Sequence, residues 1–272
     1  MPVNGSQLRA ALHQGRRVYG TLITTPSPHW PKAVQATGLD FVFIDTEHIP
    51  LDRMVVAWMC RTYSALGLAP IVRITSPDPY EACVALDNGA EGVLAPYVET
   101  AEQARQLVGA IRHRPLKGAL LRSITHDGIA PDEPLRSYVG QRCAGNVLLL
   151  NIESVPAVAA LEEILSVPGV DAVQVGPHDL TTSLGIPEQY DHPDFLRAVE
   201  RIIRVARGRG LGAGVHYWLG LERQKEWIRM GANLVVHSGD ISLFTDALNR
   251  DLRDFRATFG DAATSSAPME PI

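Results

Sequence analysis

Short apolar runs rich in β-branched residues recur along the chain, and a longer stretch with helical spacing follows each one. The runs predict strands at Val18–Thr24, Phe41–Asp45, Ile71–Ile74, Gly92–Pro96, Val147–Ile152, Ala172–Val175, Gly212–Val215 and Leu234–Val236, eight in all. Between and after them the spacing predicts helices at Pro31–Thr37, Leu51–Leu66, Pro79–Asn88, Ala101–Arg112, Pro156–Leu165, Pro193–Arg207, Leu219–Met230 and Ile241–Phe255. Thr100, with Gln103 three residues later, reads as an N-terminal capping box, while Asn88-Gly89 and Gly231 read as helix stops. Strands apolar on both faces and separated by helices pair in parallel through right-handed crossovers. Eight such units predict an α/β fold, the closed parallel (β/α)8 TIM barrel, with an open doubly wound sheet as the alternative.

Residues 113–145 are too long for a plain connection, and their Gly, Pro, Arg and His content reads as an excursion, either a lid or an oligomer contact. The segment 261–272 is small, polar and Pro-containing and reads as a disordered tail behind a single barrel domain over 1–260. With 272 residues, 46% of them hydrophobic and 20% charged, the chain has enough apolar material for one such core. A net charge of −5 without any long Lys/Arg run argues against nucleic acid and anionic membranes as partners. Cys60, Cys83 and Cys143 are scattered, which points away from a disulfide framework or zinc knuckle and towards a reducing cytoplasm. Neither a targeting segment nor an apolar run of spanning length is expected.

In a barrel the residues following each strand share one mouth, so the polar groups there are the candidates for chemistry. Asp45-Thr-Glu47-His48 follows the second strand, Arg73 ends the third, and Asn151-Ile-Glu153 ends the fifth. Gly176-Pro177-His178-Asp179 follows the sixth, the seventh reaches His216, and the eighth reaches His237-Ser-Gly-Asp240. Glu153 and Asp179 would each be costly to bury alone, and two carboxylates with no cysteine nearby suit a hard, oxygen-only site for Mg²⁺, Mn²⁺ or Co²⁺. Structural ion pairs are the alternative, as is Asp179 capping a short turn. His48 is the best general base, since imidazole ordinarily titrates near neutrality; the plainer alternative is a surface-loop histidine. Arg73 interrupts an apolar run and needs an anionic partner, either a protein carboxylate or a substrate oxyanion. Asp87 sits in the last turn of its helix, where the dipole disfavours a carboxylate, so a compensating group is expected, a histidine being one candidate.

These residues, with Phe43-Ile-Asp45-Thr-Glu47-His48, Val72-Arg73, Leu86-Asp87-Asn-Gly89-Ala90, Gly92 to Ala104, Ile152-Glu153 and Gly176 to Leu180 with Ser183-Leu-Gly185, resemble the HpcH/HpaI aldolase family of metal-dependent class II pyruvate aldolases. The likeness runs over residues 5–258. It implies a (β/α)8 barrel assembled as a homo-oligomer, a hexamer built as a trimer of dimers, with the last helix exchanged between partners. It also implies Glu153 and Asp179 as ligands of a divalent metal ion, Arg73 as the residue at the keto oxygen, and His48 with Asp87 as an acid/base dyad at a site shared across a subunit boundary. Gly176, Pro177, His178 and Asp179 would hold the carboxylate of a small 2-oxo acid, with His216 beside it.

The implied reaction is reversible cleavage of a 4-hydroxy-2-oxo acid to pyruvate and an aldehyde. Lys32, Lys117 and Lys225 fall outside the expected mouth, which argues against a Schiff-base aldolase. The chain departs from the family where a small residue commonly stands at His178, an aliphatic one near His216, Gln near Asn151 and Pro at Ile74. It departs again at Ser238-Gly239-Asp240 and at 115–127. The altered pocket leaves the acceptor open, together with oxaloacetate decarboxylation, condensation with another acceptor, and a non-catalytic barrel that only binds an oxo acid.

Overall fold

Successive side chains of a strand point to opposite faces, and in this protein that alternation sorts the residues into two cores. Val42, Ile44, Val72, Val93, Leu148, Leu150, Val173 and Val175 pack outward against the helices. Phe41, Phe43, Ala69, Ile71, Leu94, Val147, Leu149, Ala172, Leu234 and Val236 fill the interior. In the computed structural model, which describes residues 3–262, the strands are β1 (Val18–Ile23), β2 (Phe41–Asp45), β3 (Ala69–Arg73), β4 (Gly92–Ala95), β5 (Val147–Ile152), β6 (Ala172–Val175), β7 (Gly212–Tyr217) and β8 (Leu234–Gly239). All pair in parallel with their sequence neighbours, and β8 closes on β1 to complete the barrel. The doubly wound alternative is thereby excluded. Apart from Asp261 and Ala262, the segment expected to be a disordered tail lies outside the described residues.

One helix that the sequence pattern left unassigned is Gly5–His13. Its capping box, Asn4 with Gln7, starts it, and Leu8, Ala11 and Leu12 face the same way at helical spacing and plug the amino-terminal end of the barrel. Below that plug, fully buried Asp171 accepts hydrogen bonds from Arg9, from the Leu148 N–H and from Arg112, and meets His13 at 2.9 Å. Burial alone would raise this carboxyl; the surrounding donors overcome that and hold it below the ordinary value. This end of the barrel is devoted to stability, as barrel bottoms are.

The excursion at 113–145 forms two helices, Gly118–Thr125 and Glu133–Cys143. The first packs on Ala101–Arg112, where Gly109 leaves room for Leu121 and where His126 meets Glu102 at 2.8 Å. It lies along the outside of the barrel rather than over its carboxyl-terminal mouth. The final helix, Asp240–Phe259, starts against β8 and β1 and leaves Phe244, Phe255 and Phe259 exposed. Among the described residues, no helix is long and apolar enough to cross a membrane.

Candidate active site

The same alternation that fills the barrel with aliphatic side chains brings polar ones inward in its top layer. Above Phe41 and Phe43 comes Asp45; above Ala69 and Ile71 comes Arg73; above Val147 and Leu149 come Asn151 and Glu153; above Ala172 comes Gln174. The parallel register places Asp45 directly beside Arg73 and Asn151 directly beside Gln174. Arg73 therefore donates to both oxygens of Asp45, from Nε at 2.8 Å and from Nη2 at 2.7 Å. Its Nε also approaches Glu47 at 3.1 Å, and the guanidinium carbon sits 5.2 Å above the Phe43 ring. Asp45 is completely buried, and its bonds to Arg73 outweigh the desolvation that would otherwise raise its carboxyl. Arg73 thus has the carboxylate partner that its place in an apolar run demanded, and among the described residues its Nη1 donates to no protein group.

Arg73 also borders a 470 Å³ cavity at the mouth, together with His48, Asn151, Gly176, His178, Asp179 and His216. Glu153, 4% exposed, lies against its wall. One Glu153 oxygen accepts from the Tyr97 N–H at 2.7 Å and the other from Asn151 Nδ2. Tyr97 adopts φ +54°, strained for a residue with a side chain, and this bend follows β4. Gly176 lets the backbone pass close to the carboxylate: a Cβ there would stand 2.6 Å from Glu153 Oε2 and 3.1 Å from Asn151 Nδ2, so a larger residue would shift the carboxylate. Burial, followed by the nearby charges of Asp179 and Glu47, pushes the Glu153 carboxyl up to about 7.

Among the described residues, no group of three or more His, Cys, Asp or Glu side chains is arranged around one metal position. Small divalent cations of the Mg²⁺ type commonly take one or two carboxylates and complete their shell with water and substrate oxygens. The donor set here fits that pattern. Glu153 and Asp179 are oxygen donors that follow neighbouring strands β5 and β6 and repel one another, and the buried Asn151 Oδ1 has no hydrogen-bond partner among the described residues. Asp179 does not cap a helix: it lies in the first turn of Pro177–Ser183, whose cap position is Gly176.

His48, 44% exposed in its side chain, lies on the loop after β2 with Nε2 3.8 Å from Glu47. His178 opens on the same cavity, its Nδ1 3.9 Å from Glu188. His216 is held edge-on between Phe43 and Trp218, and its Nε2 contacts the Ser238 carbonyl at 3.0 Å. Only a protonated Nε2 satisfies that carbonyl, so Nδ1 is the unprotonated acceptor when the ring is neutral. Burial holds the imidazole down to about 4.

Glu153 and His216 act oppositely on stability. The folded Glu153 carboxyl keeps its proton above the ordinary 4.5, so metal-free protein loses stability as pH rises from 4.5 to 7. The folded His216 stays neutral below the ordinary 6.5, so stability is lost as pH falls from 6.5 to 4. Each contribution is about 3 kcal/mol at most, and in the shared window they offset one another. Urea unfolding with a chelator present is expected to show Glu153→Gln gaining stability relative to wild type as pH rises from 4.5 to 7, and His216→Phe gaining it as pH falls. Curves parallel to wild type would contradict both assignments.

Asp87 stands apart from this group. Its carboxylate, 66% exposed, pairs with Arg114, so the group that compensates the helix dipole is an arginine and not a histidine. It borders a separate cleft with Tyr80 and Cys83, and within one chain it forms no dyad with His48. None of the three lysines borders the mouth cavity. Three contributors went unnoticed in the sequence: the Tyr97 N–H, Gln174 and Trp218. Gln174 carried a usable signal, as a lone polar residue inside the apolar run Ala-Val-Gln-Val.

Comparison with known proteins places the barrel in a family. The model of the HpcH/HpaI aldolase/citrate lyase family matches residues 22–247. A 2-keto-3-deoxy-L-rhamnonate aldolase of Escherichia coli (strain K12) is 31% identical over 250 residues, 90% of this chain and 91% of the relative. Among solved structures, the HpcH/HpaI aldolase from Desulfitobacterium hafniense DCB-2 superposes with a TM-score of 0.79 at 27% identity, covering 92% of this chain and 96% of that one. Citrate Synthase SbnG superposes with a TM-score of 0.80 at 27% identity, covering 93% of this chain and 99% of its own. With a closed eight-stranded barrel, acidic and basic groups gathered at its mouth, and a family match over most of its length, the chain belongs to the HpcH/HpaI aldolase/citrate lyase family.

Proposed function

We propose that the protein is a metal-dependent carbon–carbon lyase that reversibly cleaves a 4-hydroxy-2-oxo acid to pyruvate and an aldehyde. The observation that carries this reading is the meeting of Arg73 and Asp179 around one cavity, with the buried Glu153 carboxylate behind its Asn151–Gly176 wall. Glu153 and Asp179 would hold a divalent ion, Mg²⁺, Mn²⁺ or Co²⁺. When bound, such an ion supplies Lewis acidity to the ketone and carboxylate of an oxo acid.

The chain's own groups then account for the rest. The backbone at Gly176–Asp179 and the His178 side chain receive the substrate carboxylate. In cleavage, His48 takes the proton of the C4 hydroxyl, the C3–C4 bond breaks, and its electron pair becomes the C2–C3 double bond while the ketone oxygen turns into an enolate oxygen. Arg73 Nη1 places fixed positive charge where that oxygen becomes negative. A proton returned to C3 completes pyruvate. The name of the rhamnonate relative supports a 2-oxo acid without a 3-hydroxyl as substrate.

The exposed Phe244, Phe255 and Phe259 on the last helix support a homo-oligomer, read here as a trimer of dimers, in which Asp87 reaches the His48 of another subunit. Three free cysteines support a cytoplasmic setting. The likeness to Citrate Synthase SbnG favours, as a second reading, an enolate that condenses with another acceptor. Product analysis with oxaloacetate, with and without acceptor, separates the two.

Incubation with pyruvate and Mn²⁺ in D₂O is expected to exchange the methyl protons and to stop on chelation. Equal inertness of stripped and Mn²⁺-loaded protein would overturn the proposal. His48→Ala is expected to lower aldol turnover about 10²- to 10⁴-fold while Mn²⁺ affinity stays within about twofold. Undiminished turnover would remove His48 from the reaction.

A further inference from the structure

Gln174 is a carboxamide set into an apolar strand, and it is only 2% exposed. Among the described residues its side chain makes no hydrogen bond, yet neither of its polar atoms is one of the sealed, unpartnered ones. Both therefore open onto space, and the space that Gln174 borders is the 470 Å³ cavity holding Arg73 and Asp179. A buried amide without partners is destabilising, and native proteins complete it with water or with a guest.

The neighbours on the sheet do not satisfy it. The register sets Asn151 of β5 on one side of Gln174 and Gly214 of β7 on the other. Gly214 has no side chain to offer. Asn151 commits its Nδ2 to Glu153, which leaves it a lone acceptor, Oδ1, that is itself unpartnered. Were Gln174 to turn its Nε2 onto that oxygen, its own Oε1 would still face the cavity unpaired. His216 and Trp218 close another side of the cavity, and behind them lies a separate space of 370 Å³ that Arg73 does not border. The carboxamide floor thus shares its side of that wall with Arg73 and Asp179.

We propose that Gln174 determines donor specificity and that the site takes, besides pyruvate, a 2-oxo acid with a hydroxyl on C3, of which hydroxypyruvate is the smallest. This deepens the lyase reading and rests on it, adding a hydroxylated donor to the 3-deoxy acid inferred above. Inward side chains two residues apart on a strand lie one layer apart, so Gln174 stands one layer beneath Gly176. With the donor's carboxylate at Gly176–Asp179 and its ketone oxygen at Arg73, C3 lies over Gln174, which accepts the hydroxyl proton at Oε1 or donates to the hydroxyl oxygen from Nε2. In the addition direction C3 gives up a proton, and the electron pair of that C–H bond becomes the C2–C3 double bond while the ketone oxygen turns into an enolate oxygen. The double-bond pair then forms the C3–C4 bond to the aldehyde carbon, the ketone is restored, and the aldehyde oxygen takes a proton. The product is a 3,4-dihydroxy-2-oxo acid, formed without oxidant or reductant.

The test compares hydroxypyruvate with 2-oxobutyrate, in which a methyl replaces the hydroxyl, as donors for Mn²⁺-dependent addition to formaldehyde, an aldehyde with no substituent to select. In Gln174→Met, which keeps the length and loses the amide, the kcat/KM ratio of hydroxypyruvate to 2-oxobutyrate is expected to fall about tenfold below its wild-type value, and in Gln174→Asn to fall by less. Comparing that ratio between proteins removes both the intrinsic reactivity of the two acids and any change in overall activity. Isothermal titration with Mn²⁺ and no aldehyde reads binding alone, and wild type is expected to hold hydroxypyruvate about tenfold more tightly than 2-oxobutyrate. A ratio unmoved in Gln174→Met, or equal affinity of wild type for the two acids, would each overturn the assignment. If Gln174→Met does not fold, the wild-type affinities decide. Absence of methyl-proton exchange from pyruvate in wild-type protein would instead overturn the lyase reading beneath it.

Discussion

Replacing Glu153 with alanine is expected to weaken Mn²⁺ binding by at least about a hundredfold and to remove pyruvate proton exchange with it. The size follows from the role: changes in residues that merely support a ligand cost about 10- to 100-fold, and loss of a ligand lies at or beyond that range. The structural consequence runs the other way. Glu153 is buried beside Asp179 and Glu47, which together with burial push its carboxyl up to about 7, so without metal its removal relieves repulsion. Metal-free Glu153→Ala is therefore expected to unfold at a urea concentration no lower than wild type at pH 7. Isothermal titration with Mn²⁺ reads the first effect and chemical denaturation the second. Unchanged metal affinity would take Glu153 out of the site.

Arg73→Met has a different signature. Asp45 is completely buried and both of its oxygens face Arg73, so truncating the guanidinium leaves a buried carboxylate with only the Glu47 N–H as partner and no opposing charge from Arg73, at a cost of about 3–5 kcal/mol in urea unfolding. Turnover is expected to fall about 10²- to 10³-fold for loss of a positive charge aimed at a developing oxyanion. Pairing it with Asp45→Leu separates these effects: the double variant is expected to regain most of the stability and none of the activity. Recovery of turnover in the double variant would make Arg73 a purely structural partner of Asp45.

The barrel was legible because period-two alternation and apolar runs are written in every strand, and because charged residues at the ends of such runs have few places to go. Asp45, Arg73, Glu153 and Asp179 stood out for that reason, and the adjacency of Asp45 and Arg73 follows from parallel register alone. What stayed hidden has physical causes. The Tyr97 contribution is made by a backbone N–H at φ +54°, which side-chain chemistry does not advertise. Trp218 reads as core until the cavity on each side of it is seen. Asp87 finds Arg114 across a connection whose path no local pattern specifies. The helix Gly5–His13 was readable from Asn4, Gln7 and the spacing of Leu8, Ala11 and Leu12, but it is too short for periodicity alone to announce.

The most direct measurement is anomalous diffraction at the manganese edge from crystals grown with Mn²⁺ and oxalate, a planar mimic of the pyruvate enolate. The expected result is a single peak at the barrel mouth, within about 2.0–2.6 Å of a carboxylate oxygen of Glu153 and of Asp179, with oxalate facing Arg73. A peak bonded to neither carboxylate, or no peak at the mouth at saturating Mn²⁺, would contradict the account.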